Sequence, residues 1–404
     1  MSRASSCTRE PPMPDNDDLW VEPRAPNLRY SSDRELAGSQ GNHSIEKGTK
    51  QTMVGLSRRK ALELGGLGLI GILMLGSSSI ALGRTSTSAY MLGIKPGNPA
   101  KKNRENLLKA LSNSGRSITF PPGDYCVDNS GPSYVVIHDF GGQLKMEPRA
   151  RFVFTDNSRR GLVFTGGAGA RFHGLRSAFK ALPPTRMIAQ ECMYFERTTD
   201  TEVRDVEIVG SAAAGLLFAQ CIRPSVVGAT IMQTRADGLH FANCQDAYAD
   251  KVLTADTGDD GLAFLNYHYL RDYSGGVATN VTVKRSKARG IAVVGQRDVV
   301  IRGFSVEGSA CSGLYCAQET SWNTRVPSEV LFVSGTVEDA GRLAGNPGCD
   351  KDGIHHENVD SVAFKDIMVL SPANRGVAGE SPGGKVTLDN VEVEDASGPK
   401  FDIG

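Results

Sequence analysis

The chain has 404 residues, room for one large domain or two ordinary ones, and it balances 45 Lys and Arg against 45 Asp and Glu. With no net charge and no basic stripe interleaved with aromatics, nothing in it invites nucleic acid. Its 46 glycines and 7% aromatics suit many short strands and tight turns, and its eight cysteines form no C-x-x-C pair, which argues against a zinc ribbon or thioredoxin-like site.

Residues 1–52 are polar, without apolar periodicity, and read as a disordered extension. Residues 53–83 read as an export signal of the twin-arginine type. Ser57-Arg58-Arg59-Lys60-Ala61-Leu62 precedes a Gly-rich apolar run from Leu64 to Leu75, too short for a comfortable membrane span. Small residues follow, with Ser79-Ile80-Ala81 as the expected cleavage site. Ala61 stands where such signals usually have Phe. Because these signals sit at the N-terminus, translation is expected to begin at Met53. The expected location is therefore secreted or periplasmic; the alternative is a membrane anchor formed by residues 64–81.

Residues 84–404 read as one domain. Asn103 to Leu111 is a short amphipathic helix with Asn103 as its expected cap. Ser117-Ile118-Thr119-Phe120 and the turn Pro121-Pro122-Gly123 follow. Together they form a lid suited to the open end of a solenoid.

Beyond the lid the chain repeats. Gly215, Gly238, Gly261, Gly290, Gly313, Gly353 and Gly376 each precede a short strand, and four of the six intervals are 23 residues. Leu216-Leu217-Phe218, Leu239-His240-Phe241, Leu262-Ala263-Phe264, Ile291-Ala292-Val293 and Leu314-Tyr315-Cys316 share an apolar-x-apolar pattern. Alternating segments such as Val203 to Ile208 and Val299 to Val306 supply further strands in each repeat. Several strands per repeat with no helix between them predict an all-β fold, a single right-handed parallel β-helix with a short N-terminal capping helix. Gln220, Asn243 and Asn266 recur every 23 residues and predict an amide ladder at a coil corner. Cys221 and Cys244 recur likewise and are expected to be buried thiols.

Asn106 and the stretch Phe120-Pro121-Pro122-Gly123-Asp124-Tyr125 resemble the opening of pectate-lyase-superfamily β-helices. Ala236-Asp237-Gly238-Leu239-His240, followed one coil later by Thr257-Gly258-Asp259-Asp260-Gly261, resembles glycoside hydrolase family 28, the polygalacturonase family. The likeness covers roughly residues 100–400 as architecture, and about 30 residues as motif. It implies a polysaccharide substrate, with Asp259 as general acid and Asp237 and Asp260 positioning the water for inversion. The chain departs from the family at Arg235-Ala236, where members have Asn-Thr, and at Ala288-Arg289-Gly290, where they have Gly-His-Gly. The family's Arg-Ile-Lys has no counterpart at Gly313-Leu314-Tyr315-Cys316. Galacturonan is thus not the expected substrate, although the carboxylate cluster survives.

The repeat also places side chains. Ala214, Asp237, Asp260, Arg289, Ser312, Asp352 and Arg375 precede the glycines and should share one corner. Asp237 and Asp260 then lie about 4.8 Å apart along the stack, with Asp259 beside them. Three carboxylates so close cannot all ionise, so at least one proton affinity should rise, as glycosidic cleavage requires. Asp before Gly is also ordinary turn chemistry, the expected role of Asp352-Gly353. His240 and Tyr315, mid-strand and outward, should flank the groove with Arg289, and Trp322 is the expected sugar platform, unless it merely pins its loop. Insertions carrying His268, Tyr269, Arg271 and Tyr273, and Trp322 with Gly341 to Gly348, should wall it. His355 and His356 face opposite sides of a strand, so no zinc site and no cofactor is expected. Calcium is the open alternative, with Asp259, Asp260 or Asp350 as its oxygen donors, and it fits a lyase reading.

The leading expectation is a secreted, inverting glycoside hydrolase. A polysaccharide lyase using Arg289 or Lys287 as base, or a non-catalytic glycan-binding or adhesive β-helix, are the alternatives. The absence of an Asp-Pro-His motif weighs against an epimerase. The expected partner is a polysaccharide; homotrimers occur among β-helices, and the sequence neither requires nor forbids one.

Overall fold

The repeated glycines answer to sterics. A Cβ on Gly215, Gly238 or Gly261 would lie 2.3, 2.5 or 2.3 Å from the side chain of Ile231, Thr254 or Val283 on the facing sheet. Gly290, Gly313, Gly353 and Gly376 meet Val306, Val337, Val369 and Val393 in the same way. None of these glycines has positive φ, so close approach of the two sheets, and not backbone strain, requires them.

The computed structural model describes residues 86–404, apart from 132, 133, 346 and 347. The extension 1–52, the export signal within 53–83 and the alternative anchor 64–81 lie outside these residues. Among the described residues no helix is long and apolar enough to cross a membrane.

One short strand per coil builds an 11-stranded sheet, running from Val136–His138 to Phe401–Ile403 with every pairing parallel. The rest of each coil joins a 15-stranded sheet, and the whole is a right-handed parallel β-solenoid of about eleven turns. From Glu202–Ser211 onward the strands of this second sheet run nine to eleven residues. Each has a left-handed residue at one shared position near its middle: Asp205, Gly228, Lys251, Asn280, Gly303, Ser334, Asp366 and Asn390, all in register. Asp, Asn and Gly, which hold positive φ most readily, take six of the eight positions. The bend there turns one strand into two faces of the coil.

The interior is a stack. Phe164, Phe195, Phe218, Phe241 and Phe264 lie ring on ring with centroids 5.1, 4.8, 5.5 and 5.0 Å apart. Offset stacking adds to the burial of each large ring. Cys221 and Cys244 are buried free thiols, as the repeat implied.

Two expectations need correction, and one covalent link is new. The N-terminal helix is Ala100–Leu111 and starts at Pro99 without a side-chain cap. Asn103 lies inside it, buried, and clamps the Lys95 N–H and the Lys95 and Cys126 carbonyls at 3.0–3.1 Å. Proline has no N–H to leave unsatisfied, so the helix begins earlier than its first Asn. The amide ladder starts one coil later than Gln220. Asn243 donates to Asn266 at 2.5 Å, and Asn266 to Gln296 at 2.8 Å. Gln296 is 30 residues on because the loop at 267–275 lengthens that coil by seven, so an interval of 23 misses it. Finally, Cys311 and Cys349 form a disulfide that ties the insertion at 339–350 to the coil, a pairing the cysteine spacing did not reveal.

Candidate active site

The corner column forms as its register implied. The N–H of Gly215 donates to the Asp237 carbonyl at 2.9 Å, Gly238 to Asp260 at 2.9 Å, and Gly261 to Arg289 at 3.1 Å. Gly290, Gly313 and Gly353 continue the series to Ser312, Asp352 and Arg375. One carboxylate oxygen from each of Asp237, Asp259 and Asp260 lies within 4.8 Å of the others. Asp237 and Asp260 are buried, whereas the Asp259 side chain is 22% exposed and opens to the surface.

The three carboxyls differ in their hold on a proton. Burial raises the pKa of Asp260 well above the ordinary range, and the charges of Asp259 and Asp237 add to it against Arg289. Asp259 is raised by burial and by Asp237, opposed by Arg186 and Arg289. Asp237 goes the other way: burial would raise it, but His240, Arg186 and the Asp260 N–H pull it below the usual value. His240 Nδ1 lies 2.8 Å from Asp237 Oδ2, and the Asp260 N–H donates to Oδ1 at 3.2 Å. One ionised carboxylate thus sits beside two that favour protonation.

Arg289 and Tyr315 lie on the neighbouring coils but are already engaged. Arg289 Nη2 donates to Glu319 at 2.7 Å, its backbone N–H to Asp260 at 2.9 Å, and its guanidinium lies 4.2 Å over the Tyr315 ring. His355 stacks on Tyr315 from the following coil, 5.7 Å between centroids. Both faces of Tyr315 are therefore covered. The floor between is small, with Ala263 and Ala292 in register between His240 and Tyr315. These residues face outward as expected, yet all are buried, because the insertions close over them.

Two insertions are knitted into one wall. Tyr267 bridges Thr324, and Arg325 donates to the carbonyls of His268 and Leu270. Trp322 ends a short turn, Thr320–Trp322, and stands 46% exposed on this wall. Of the other insertion, Arg342 donates to the Ser371 carbonyl and Cys349 is joined to Cys311, both away from this wall.

Three residues of the site lie outside the repeat. Glu319 neutralises Arg289, and Tyr267 faces the same carboxylates. Its hydroxyl is raised by burial and by Tyr269, Asp237, Glu319 and Asp259. Arg186 Nη1 lies 2.5 Å from Asp259 Oδ2 and comes from an insertion far upstream in sequence. A signal existed: Leu162 pairs with Met193, an interval of 31 in place of 23. It was hidden because Cys192 replaces the marker glycine.

His355 and His356 face opposite sides, the second wholly buried. Asp350, Asp352 and His355 also bring donor atoms within 4.8 Å, but Asp352 already accepts bonds from Arg375, Asn374 and His355. Oxygen donors at the Asp237 cluster suit calcium in kind, yet Arg186 and Arg289 already supply positive charge there.

No family model and no curated protein matches the chain. Solved structures do. A polygalacturonase from Erwinia carotovora ssp. carotovora aligns at TM-score 0.56 and 12% identity, over 77% of this chain and 95% of that one. The A-module of an Azotobacter vinelandii mannuronan C-5 epimerase aligns at 0.53 and 12%, over 78% and 97%. The catalytic domain of a family 87 α-1,3-glucanase, bound to tetrasaccharides, aligns at 0.55 and 14%, over 76% of this chain and 58% of that one. The fold these structures share with the chain is the right-handed parallel β-helix. At such identities the likeness establishes the fold and nothing finer.

Proposed function

We propose that this β-helix is a polysaccharide-active enzyme that hydrolyses glycosidic bonds. The three structural relatives are named for activity on polysaccharides, which supports the coarser reading. The observation that carries the finer one is the Asp237, Asp259, Asp260 cluster with its divided proton affinities. Asp259, raised and open to the groove, serves as general acid to the leaving oxygen. Asp237, kept ionised, holds the attacking water together with Asp260. A water about 2.8 Å from each of two oxygens that lie within 4.8 Å of one another makes two good hydrogen bonds.

Inverting pairs generally stand about 6.5–9.5 Å apart and retaining pairs about 5–5.5 Å. Here one oxygen from each of three carboxylates lies within 4.8 Å of the others, so a third carboxylate is available to seat the water for inversion. Proton NMR of the first-formed product should show the anomer opposite to the substrate's; the same anomer would make Asp237 or Asp260 a nucleophile.

A lyase would need a base, and Arg289 is poorly suited. Asp260, Glu319 and the other neighbouring charges outweigh burial and keep it protonated. The experiment is incubation with neutral and acidic polysaccharides, reading reducing ends and ultraviolet absorbance together. Hydrolysis gives reducing ends alone. An ultraviolet-absorbing product would mean elimination, and glycan binding without any product would mean a binding module.

The same reading has the domain exported. The Cys311–Cys349 disulfide supports an oxidising compartment, in keeping with the twin-arginine-like segment at 53–83. N-terminal sequencing of the mature protein tests this: a start near Leu82 supports cleavage, and retention of residues 64–81 supports an anchor.

A further inference from the structure

We propose that Arg186 is a positioning residue for Asp259, delivered by an inserted loop to fix that carboxyl and govern the pH range over which it keeps its proton. The inference rests on the hydrolase reading for its catalytic consequence, but not for its effect on Asp259 itself.

The loop is built to bring Arg186 to this spot. Residues 180–190 lengthen their coil by eight residues, and bonds to three other coils pin them. Met187 N–H donates to the Ala212 carbonyl at 2.7 Å, Arg235 Nε to Pro183 at 2.6 Å, and Asn157 to Leu182 at 3.1 Å. Arg235 leads directly into Asp237, so the loop and the corner are tied through the same turn. Arg186 then spans to Asp259, 73 residues away in sequence.

The other nearby cation cannot take its place. Arg289 is bound to Glu319 and Asp260 and laid over Tyr315. The charged and titratable groups around Asp259 are Arg186, Arg289, Asp237, Asp260 and Tyr267, with His240 bonded to the far side of Asp237. Without Arg186, Asp259 would face two carboxylates with only the engaged Arg289 to offset them. Its proton would be held more tightly, and its side chain would lose its single guanidinium anchor.

A general acid works only while protonated, so activity falls as pH rises through its pKa. Removing a charge at direct contact raises that pKa by on the order of one unit or more. The basic limb of the kcat/KM profile should therefore move upward by about one pH unit in Arg186→Ala. Arg186→Lys, which keeps the charge without the planar fork, should restore the limb while kcat stays several-fold low.

The deciding readout needs no substrate. Carboxyl carbon NMR of the intact protein labelled at aspartate, with Asp259→Asn for assignment, follows the Asp259 titration in wild type and in Arg186→Ala. An upward-shifted midpoint in the variant supports the proposal. An unchanged midpoint in a folded variant overturns it and leaves Arg186 as a loop tether, which would lower the melting temperature without moving any titration. If wild type turns over no glycan, the hydrolase reading fails while the titration still judges Arg186.

Discussion

Two corners of the solenoid carry the same Asp-Gly-x-His pattern, Asp237-Gly238-Leu239-His240 and Asp352-Gly353-Ile354-His355. In both, the His Nδ1 lies against the Asp Oδ2, at 2.8 and 3.0 Å. What differs is the next coil. At the first corner it brings another carboxylate, Asp260, with Asp259 beside it. At the second it brings Arg375, whose backbone N–H, Nε and Nη2 all donate to Asp352. Asp352 is held below the usual range even though burial works against it, because His355 and Arg375 outweigh the burial. His240 Nε2 is buried without a partner among the described residues, whereas His355 Nε2 reaches Asp350 at 3.5 Å. The motif sets a local geometry; the neighbouring coil decides whether it becomes a strained cluster or a satisfied ion pair.

That contrast can be broken first at the carboxylates. Asp259→Asn should lower hydrolysis by about 10²–10⁴-fold, the usual contribution of a general acid. Asp352→Asn should leave turnover of the folded fraction within about twofold. Its effect falls on stability, about 3 kcal/mol lost by chemical denaturation, because Arg375 is left without its buried partner.

A pH series sharpens the comparison. At the inner position beside each outward His, the first corner has Phe241 and the second His356. Burial, helped by His355, pushes His356 down to about 4. The unfolded chain takes up this proton near pH 6.5 and the folded chain only near 4. Stability is therefore complete above about 6.5 and falls as pH drops toward 4, by about 3 kcal/mol in all. His356→Leu should flatten that part of the curve; a curve unchanged by the substitution would assign the acid sensitivity elsewhere.

The disulfide lies on the second corner's side of the groove. Reducing it, or the double change Cys311→Ser with Cys349→Ser, should lower stability by about 2–4 kcal/mol if the 38-residue loop is free in the unfolded chain. Turnover should change little, since the loop fastens Asp350 and not the Asp237 cluster. The smallest effect is expected at Trp322. Its replacement by Ala should shift stability by within about 0.5 kcal/mol and raise KM several-fold on long glycans, if the ring meets the chain.

The coils were legible because a fixed steric need, a glycine under each facing Ile, Thr or Val, recurs at a fixed interval. The same regularity placed Asp237, Asp260 and Arg289 in one column before any coordinates. It could not show Arg186, Glu319 or Tyr267, because these come from insertions whose lengths have no period and whose paths depend on bonds between distant coils. Nor could it distinguish the two Asp-Gly-x-His corners by their own residues. Arg375 stands in the same column as Asp260, and only stacking reveals that each answers to the Asp one coil before it.

The most direct test measures melting temperature and turnover together in Asp260→Asn and Asp352→Asn. A carboxyl with raised proton affinity destabilises the fold increasingly as pH rises above about 3.9, so its neutral amide should relieve strain at pH 7. Asp260→Asn should melt higher than wild type and lose hydrolysis, while Asp352→Asn should melt lower and keep it. Destabilisation in both, or full activity in Asp260→Asn, would contradict it.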